Sequence, residues 1–168
     1  MKTFITTWLF ACSALMMLSG CATAEERAAR AAEQALKVKT ALTQRRYKID
    51  INRMYPMKGN SKSVSYGYSV EVRNDTLISY LPYFGRAYNV PYGGGKGFNF
   101  SERIGSYHET QQSNGARVID INLKNDEDIY QYTIKIFDNG NSSIDVQSRQ
   151  RDPISYSGEM VFGESKQE

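Results

Sequence analysis

The chain has 168 residues, with 21 Lys and Arg against 18 Asp and Glu, one histidine, one tryptophan, two cysteines and 12 tyrosines. A net charge of +3 is too small an excess to create a basic field for nucleic acid, and two cysteines do not make a disulfide framework. The length suits one domain with its own core.

Lys2 precedes an apolar run from Phe4 to Met17, about the length of a secretory h-region and too short for a permanent membrane helix. The run ends in Leu18-Ser19-Gly20-Cys21. This resembles the lipobox of bacterial lipoproteins: a branched apolar residue, two small residues that fit a narrow peptidase cleft, then the cysteine whose thiol takes diacylglycerol. The expectation is a signal peptide over 1–20 and a lipid anchor on Cys21, in competition with a plain signal peptide or an uncleaved anchor. Each buried acyl CH₂ contributes about 0.8 kcal/mol, so two or three chains hold firmly. The mature chain then has 148 residues (168 less 20), loses Trp8 and Cys12, and keeps Cys21 as its only cysteine, so it can form no internal disulfide. Its charge falls to +2, from 20 basic against 18 acidic residues.

A helix follows, in a segment spanning residues 21–45. Thr23 with Glu26 three residues on fits a capping box, and no Gly or Pro interrupts the Ala-rich run to Arg45. Glu26/Arg30 and Glu33/Lys37 are i,i+4 pairs in the favourable order. The apolar stripe of Ala28, Ala31, Ala35, Val38 and Leu42 is narrow, which leaves open a docked helix or a solvated stalk.

From Tyr47 the period changes to two, and residues 46–168 read as an antiparallel β domain. Tyr47, Ile49 and Ile51 share one face; Val64, Tyr66, Tyr68, Val70 and Val72 suggest one continuous strand. Short strands are expected near Leu77 to Leu81 and Phe98 to Phe100, and an exposed one at 106–110. Ile119, Ile121 and Leu123, the acidic turn 125–128, then Tyr130, Tyr132, Ile134 and Ile136 predict a hairpin. Asp138-Asn139-Gly140-Asn141 turns the chain into a third strand through Ile144 and Val146. A last strand runs from Ile154 through Tyr156 and Met160 to Phe162, with Pro153 at its start. The predicted fold class is mainly β (α+β): a single antiparallel curved sheet, or partly closed barrel or sandwich, of about eight strands, preceded by one N-terminal helix.

Between strands lies an aromatic and glycine-rich stretch, Leu81-Pro82-Tyr83-Phe84-Gly85-Arg86-Ala87-Tyr88, followed by Pro91-Tyr92 and the run Gly93-Gly94-Gly95-Lys96-Gly97. With the lipobox and the late segment Ile154-Ser155-Tyr156-Ser157-Gly158, it resembles the bacterial lipoproteins grouped as domain of unknown function 4251. That resemblance implies a mainly β, outer-membrane or periplasmic lipoprotein of Gram-negative anaerobes, and it transfers no catalytic residues. Ala22 is compatible with release to the outer membrane, and Glu25 and Glu26 hint at surface display.

Catalytic chemistry is nearly absent. His108 is the only histidine and lies in a polar, exposed-strand pattern. With Cys21 lipidated, neither a thiolate nucleophile nor a Cys/His zinc site remains. Asp126, Glu127 and Asp128 offer oxygen ligands for a hard cation, but without EF-hand spacing they read as a solvated turn. The glycine run lacks the strand-to-helix context and the Gly-Lys-Ser/Thr ending of a P-loop. No cofactor or metal is therefore expected. Tyr83, Phe84, Arg86, Tyr88 and Tyr92 are the candidate ligand-binding residues, as a binding rim or as residues that close the core. The sequence favours a non-catalytic, membrane-anchored module that binds an envelope protein or glycan. The alternatives are an envelope glycan hydrolase using two carboxylates and a purely structural envelope component.

Overall fold

A computed structural model describes residues 23–65, 67–88, 97–113 and 115–162. The helix, α1, spans Ala24–Thr43. Its start is set by Thr23, whose Oγ1 accepts from the Glu26 N–H at 3.2 Å, half of the expected capping box. Lys37 and Glu33 form the i,i+4 ion pair at 2.7 Å. The chain divides into two units, 1–31 and 32–168. Within the second unit, Val38 and Leu42 are each only 1% exposed and belong to the sheet's core. The C-terminal half of the helix is docked, therefore, and not a free stalk.

Ten strands follow: β1 Arg46–Pro56, β2 Lys62–Ser63, β3 Ser69–Arg73, β4 Thr76–Leu81, β5 Phe98–Arg103, β6 Ser106–Gln111, β7 Arg117–Lys124, β8 Ile129–Ile136, β9 Asn141–Ser148 and β10 Ile154–Val161. All pairings are antiparallel. The spatial order is β5-β4-β3-β1-β10-β9-β8-β7-β6, with the two-residue β2 beside β1. This is the expected curved sheet, with more strands than the eight anticipated. The difference arises partly at 64–68, where a single strand was expected. There β2 and β3 pair with separate stretches of β1, on either side of a bulge at Asn52. A bulge adds an unpaired residue and bends its strand, so the partner cannot follow without a break.

The sheet curls into a half-barrel because its two outermost strands, β5 and β6, are consecutive in the chain. Only Ile104 and Gly105 join them; Ile104 N–H bonds the carbonyl of Asp75 beside β4 (2.7 Å), and Gly105 N–H bonds that of Asn122 on β7 (2.9 Å). The opposite edges are thus held together at that point. The concave face carries the core. Leu123 pairs with Tyr130, Ile121 with Tyr132 and Ile119 with Ile134 across the central hairpin, as its alternation predicts, and the four isoleucine and tyrosine positions at 119, 121, 132 and 134 are fully buried. Tyr132 fills the centre, and its hydroxyl hydrogen-bonds Ser79 on β4 at 2.9 Å, joining the two sides of the curl. The β8–β9 turn relies on Gly140 at φ 84°; Asn139 needs no such conformation.

One glycine is required by close approach. Gly158 pairs with Ile51 beside the bulge, and a Cβ there would lie 2.1 Å from the Asp50 carbonyl oxygen. Gly158→Ala is expected to destabilise the domain by about 2 kcal/mol or more, as overpacking does, measured by urea denaturation. Ile121→Asp and Ile134→Asp should each abolish folding, because an unpaired buried charge is very costly. Cooperative urea unfolding of either variant would contradict the register.

Candidate functional site

The aromatic segment after β4 forms a latch across one end of the half-barrel. Leu81 pairs with Phe98 and ends the strand, since Pro82 cannot extend the ladder. The Pro82 carbonyl accepts from the Tyr156 hydroxyl at 2.7 Å. Tyr83 turns inward, edge-to-face on Phe98 with centroids 5.2 Å apart. Its hydroxyl donates to the Arg86 carbonyl at 2.7 Å and lies 3.3 Å from that of Asp152. Gly85 leaves space for this arrangement, because a Cβ there would stand 2.6 Å from that hydroxyl. The chain then lies beside 150–152: Asp152 N–H bonds the Arg86 carbonyl (3.0 Å), Tyr88 N–H bonds that of Gln150 (2.7 Å), and Ala87 bridges Arg151. Tyr88 adds a bond from its hydroxyl to Asp152 Oδ1 at 2.8 Å.

Beneath the latch, Arg151 is only 8% exposed. Its guanidinium stands 5.2 Å from the Tyr83 ring centroid and 5.1 Å from that of Phe98, within cation–π range. Two of the five candidate residues therefore divide by role. Tyr83 closes the core, and burial pushes its phenol above the usual range, with the Asp152 charge a lesser cause. Tyr88 is 63% exposed; its bond to Asp152 and that carboxylate's charge raise its phenol. Phe84 is exposed with Lys62 Nζ 3.3 Å over its ring, and Arg86 is exposed beside it. Tyr92, like Cys21 and the run from Gly93 to Lys96, lies outside the described residues. Gly97 is described, and a Cβ there would meet the Leu81 carbonyl oxygen at 2.0 Å; this glycine serves strand pairing.

The acidic turn is built into the fold. Asn125 Oδ1 accepts from the N–H groups of Glu127 and Asp128, both at 2.9 Å. The Asp128 carboxylate accepts from the N–H of Ile129 (2.7 Å), Arg149 (3.2 Å) and Gln150 (3.0 Å), tying the turn to the segment that carries Arg151. Its lone pairs are directed to backbone donors, and among the described residues no three His, Cys, Asp or Glu are grouped to hold a metal. Beside the turn a cleft of about 220 Å³ opens between β5 and β8, lined by Asn99, Phe100, Glu102, Asp126, Glu127 and Tyr130. His108 is exposed on the edge strand β6, across from Asp120. Arg151, Asp152 and Asp128 carry no periodic signal, and sequence reading did not single out the first two.

An antiparallel half-barrel with Val38 and Leu42 of a helix in its core and an aromatic latch across one end defines the class of domain. A family model described as domain of unknown function (DUF4251) matches residues 29–160, and the chain belongs to that family. The crystal structure of a DUF4251 family protein from Bacteroides eggerthii DSM 20697 is similar in fold, with a TM-score of 0.61 and 13% identity over 76% of this chain and 87% of that one. No curated protein matches the chain in sequence.

The interior tyrosines set the alkaline limit of the fold. Burial raises the phenols of Tyr47, Tyr132 and Tyr156 well above their ordinary value near 10, and the Tyr47 hydroxyl is buried beside that of Tyr107. With folded values raised, this contribution to stability is complete below the unfolded value and is lost as pH rises beyond it. Tyrosinate absorbance from these residues is expected to appear only together with loss of β-sheet circular dichroism, at a pH above about 10. Tyr83→Phe should cost about 1 kcal/mol through its lost hydrogen bonds, whereas Tyr88→Ala should move Tm by only a few degrees.

Proposed function

We propose that this protein is an exported lipoprotein, anchored through Cys21 in the outer membrane and facing the periplasm or the cell surface. Its half-barrel acts as a non-catalytic binding module for an envelope protein or glycan. The observation that carries the reading is the latch: Phe84, Arg86 and Tyr88 project from a backbone held by three hydrogen bonds to Gln150, Asp152 and Tyr83. A backbone already fixed spares binding the cost of ordering a loop. An aromatic ring, a guanidinium and a phenol together suit protein or sugar surfaces. Among the described residues no Asp or Glu is buried, which favours binding over carboxylate catalysis.

The double variant Phe84→Ala/Arg86→Ala is expected to keep Tm within a few degrees and to lose about tenfold or more in affinity for envelopes prepared from cells lacking the protein, as removal of central anchors does. Unchanged affinity removes the latch as the binding surface. Cys21→Ser is expected to leave the membrane fraction after alkaline wash, where the parent protein stays; retention would refute the anchor.

The cleft supports a second reading, a glycan hydrolase, since Glu102 on β5 faces the Asp126 and Glu127 turn across it. It requires that the protein release reducing ends from envelope glycan and that Glu102→Gln abolish the release. Intact glycan after incubation removes it.

A further inference from the structure

At the end of the half-barrel where the helix docks, an apolar patch surrounds the β8–β9 turn. Gln34 Nε2 of α1 donates to the Asn139 carbonyl in that turn at 3.2 Å. Beside it stand Phe137, Val161 and Phe162, exposed by 38%, 40% and 41%. Phe137 opens the turn, with its N–H bonded to the Asn141 carbonyl at 2.9 Å. Gly140 has no side chain to separate the rest: from the place of a Cβ there, Gln34 Nε2 is 3.5 Å away and Phe162 Cε2 3.7 Å. Lys135 Nζ lies 5.1 Å from the Phe137 ring centroid, and Lys48 pairs with Val161 across β1 and β10. Acidic groups balance these lysines. Asp50 pairs with Lys48 at 3.1 Å, Asp138 is exposed in the turn, and Glu159 is exposed opposite Asn141.

We propose that this patch rests in the interface of the membrane that holds Cys21, so that the anchored domain has a fixed end on the lipid surface. The inference rests on Cys21 being the anchor. Gln34 follows Cys21 by 13 residues and bonds the β8–β9 turn, so the chain that comes from Cys21 meets the sheet beside this patch. Aromatic rings with lysines whose stems can lie along apolar surface are the composition of membrane interfaces. A patch of three side chains binds weakly by itself. Tethering turns its contact with lipid into an intramolecular event, and weak contact then suffices. With acids balancing the lysines, the contact is apolar and needs no anionic lipid.

The sequence supplies its own reporters, because Trp8 is the only tryptophan and Cys21 the only cysteine after the leader. The 21–168 chain carrying Phe162→Trp is coupled through the Cys21 thiol to maleimide-phosphatidylethanolamine in phosphatidylcholine vesicles, with and without brominated acyl chains. Bromine is expected to quench its emission by about half or more, equally at low and high salt, while Phe84→Trp on the latch is quenched little, as interfacial burial at one end requires. Equal quenching of the two reporters, or none, overturns the docked end. Acylation of Cys21 is read separately from the mass of the protein isolated from its own membranes. A native chain without acyl groups overturns the anchor and the docked state with it, whereas acylated chains with an unquenched Phe162→Trp reporter overturn the patch alone.

Discussion

β5 and β6 stand at opposite ends of the strand order and yet are joined by two residues, Ile104 and Gly105. No flat sheet satisfies that connection, so the sheet curls until its edges meet. The backbone bonds from Ile104 to Asp75 and from Gly105 to Asn122 fix the meeting point. The curl decides where everything else goes. It turns one face of the longer strands toward a common interior, which is why alternation recurs from Tyr47 to Met160. It also leaves an opening near the latch, where β5 and the β7–β8 turn diverge around the cleft.

The latch is the solution to that opening. An aromatic interior next to solvent would lose contacts and admit water around the Tyr156 and Tyr132 hydroxyls. Pro82 supplies a carbonyl for Tyr156, Tyr83 covers Phe98, and the Arg151 guanidinium lies on the faces of both rings while Asp128 holds the neighbouring backbone. Two of the segments that carry the family resemblance, 81–88 and 154–158, touch one another through Tyr156 and Pro82. Most of their distinctive residues act in closure: Gly85 yields room to Tyr83, and Gly158 admits the bulged β1. A motif of this kind marks a fold more than a reaction.

Local pattern made the hairpins legible. Leu123 opposite Tyr130 and Ile121 opposite Tyr132 follow from alternation and a four-residue turn. The pairing of β1 with β10 joins residues about a hundred positions apart, and no local rule reaches that far. The break at 64–68 was hidden for a related reason, since its cause is the bulge at Asn52 on another strand. At the site, composition drew attention to Tyr83, Phe84, Arg86 and Tyr88. It could not tell the inward Tyr83 from the outward Tyr88, because both are tyrosines in an aperiodic segment and their partners, Phe98 and Asp152, come from elsewhere in the chain. Arg151 carried no signal, as an arginine two residues from Arg149 between two strands looks like any solvated one.

The two ends of the half-barrel differ in a way that gives the molecule a direction. At the latch, exposed Phe84 and Tyr88 accompany Lys62 and Arg86 on a backbone fixed by hydrogen bonds. At the β8–β9 turn, Phe137, Val161 and Phe162 accompany charges that largely cancel, beside the docked part of the helix. Between these ends the outward face of the central strands is tied down by its own polar pairs, Ser155 with Asp145 and Thr133 with Asp120. Groups already bonded to one another gain little from a new partner, because any new bond must replace an existing one. The side chains still open to a new partner therefore stand at the two ends and not along the outward face of these strands.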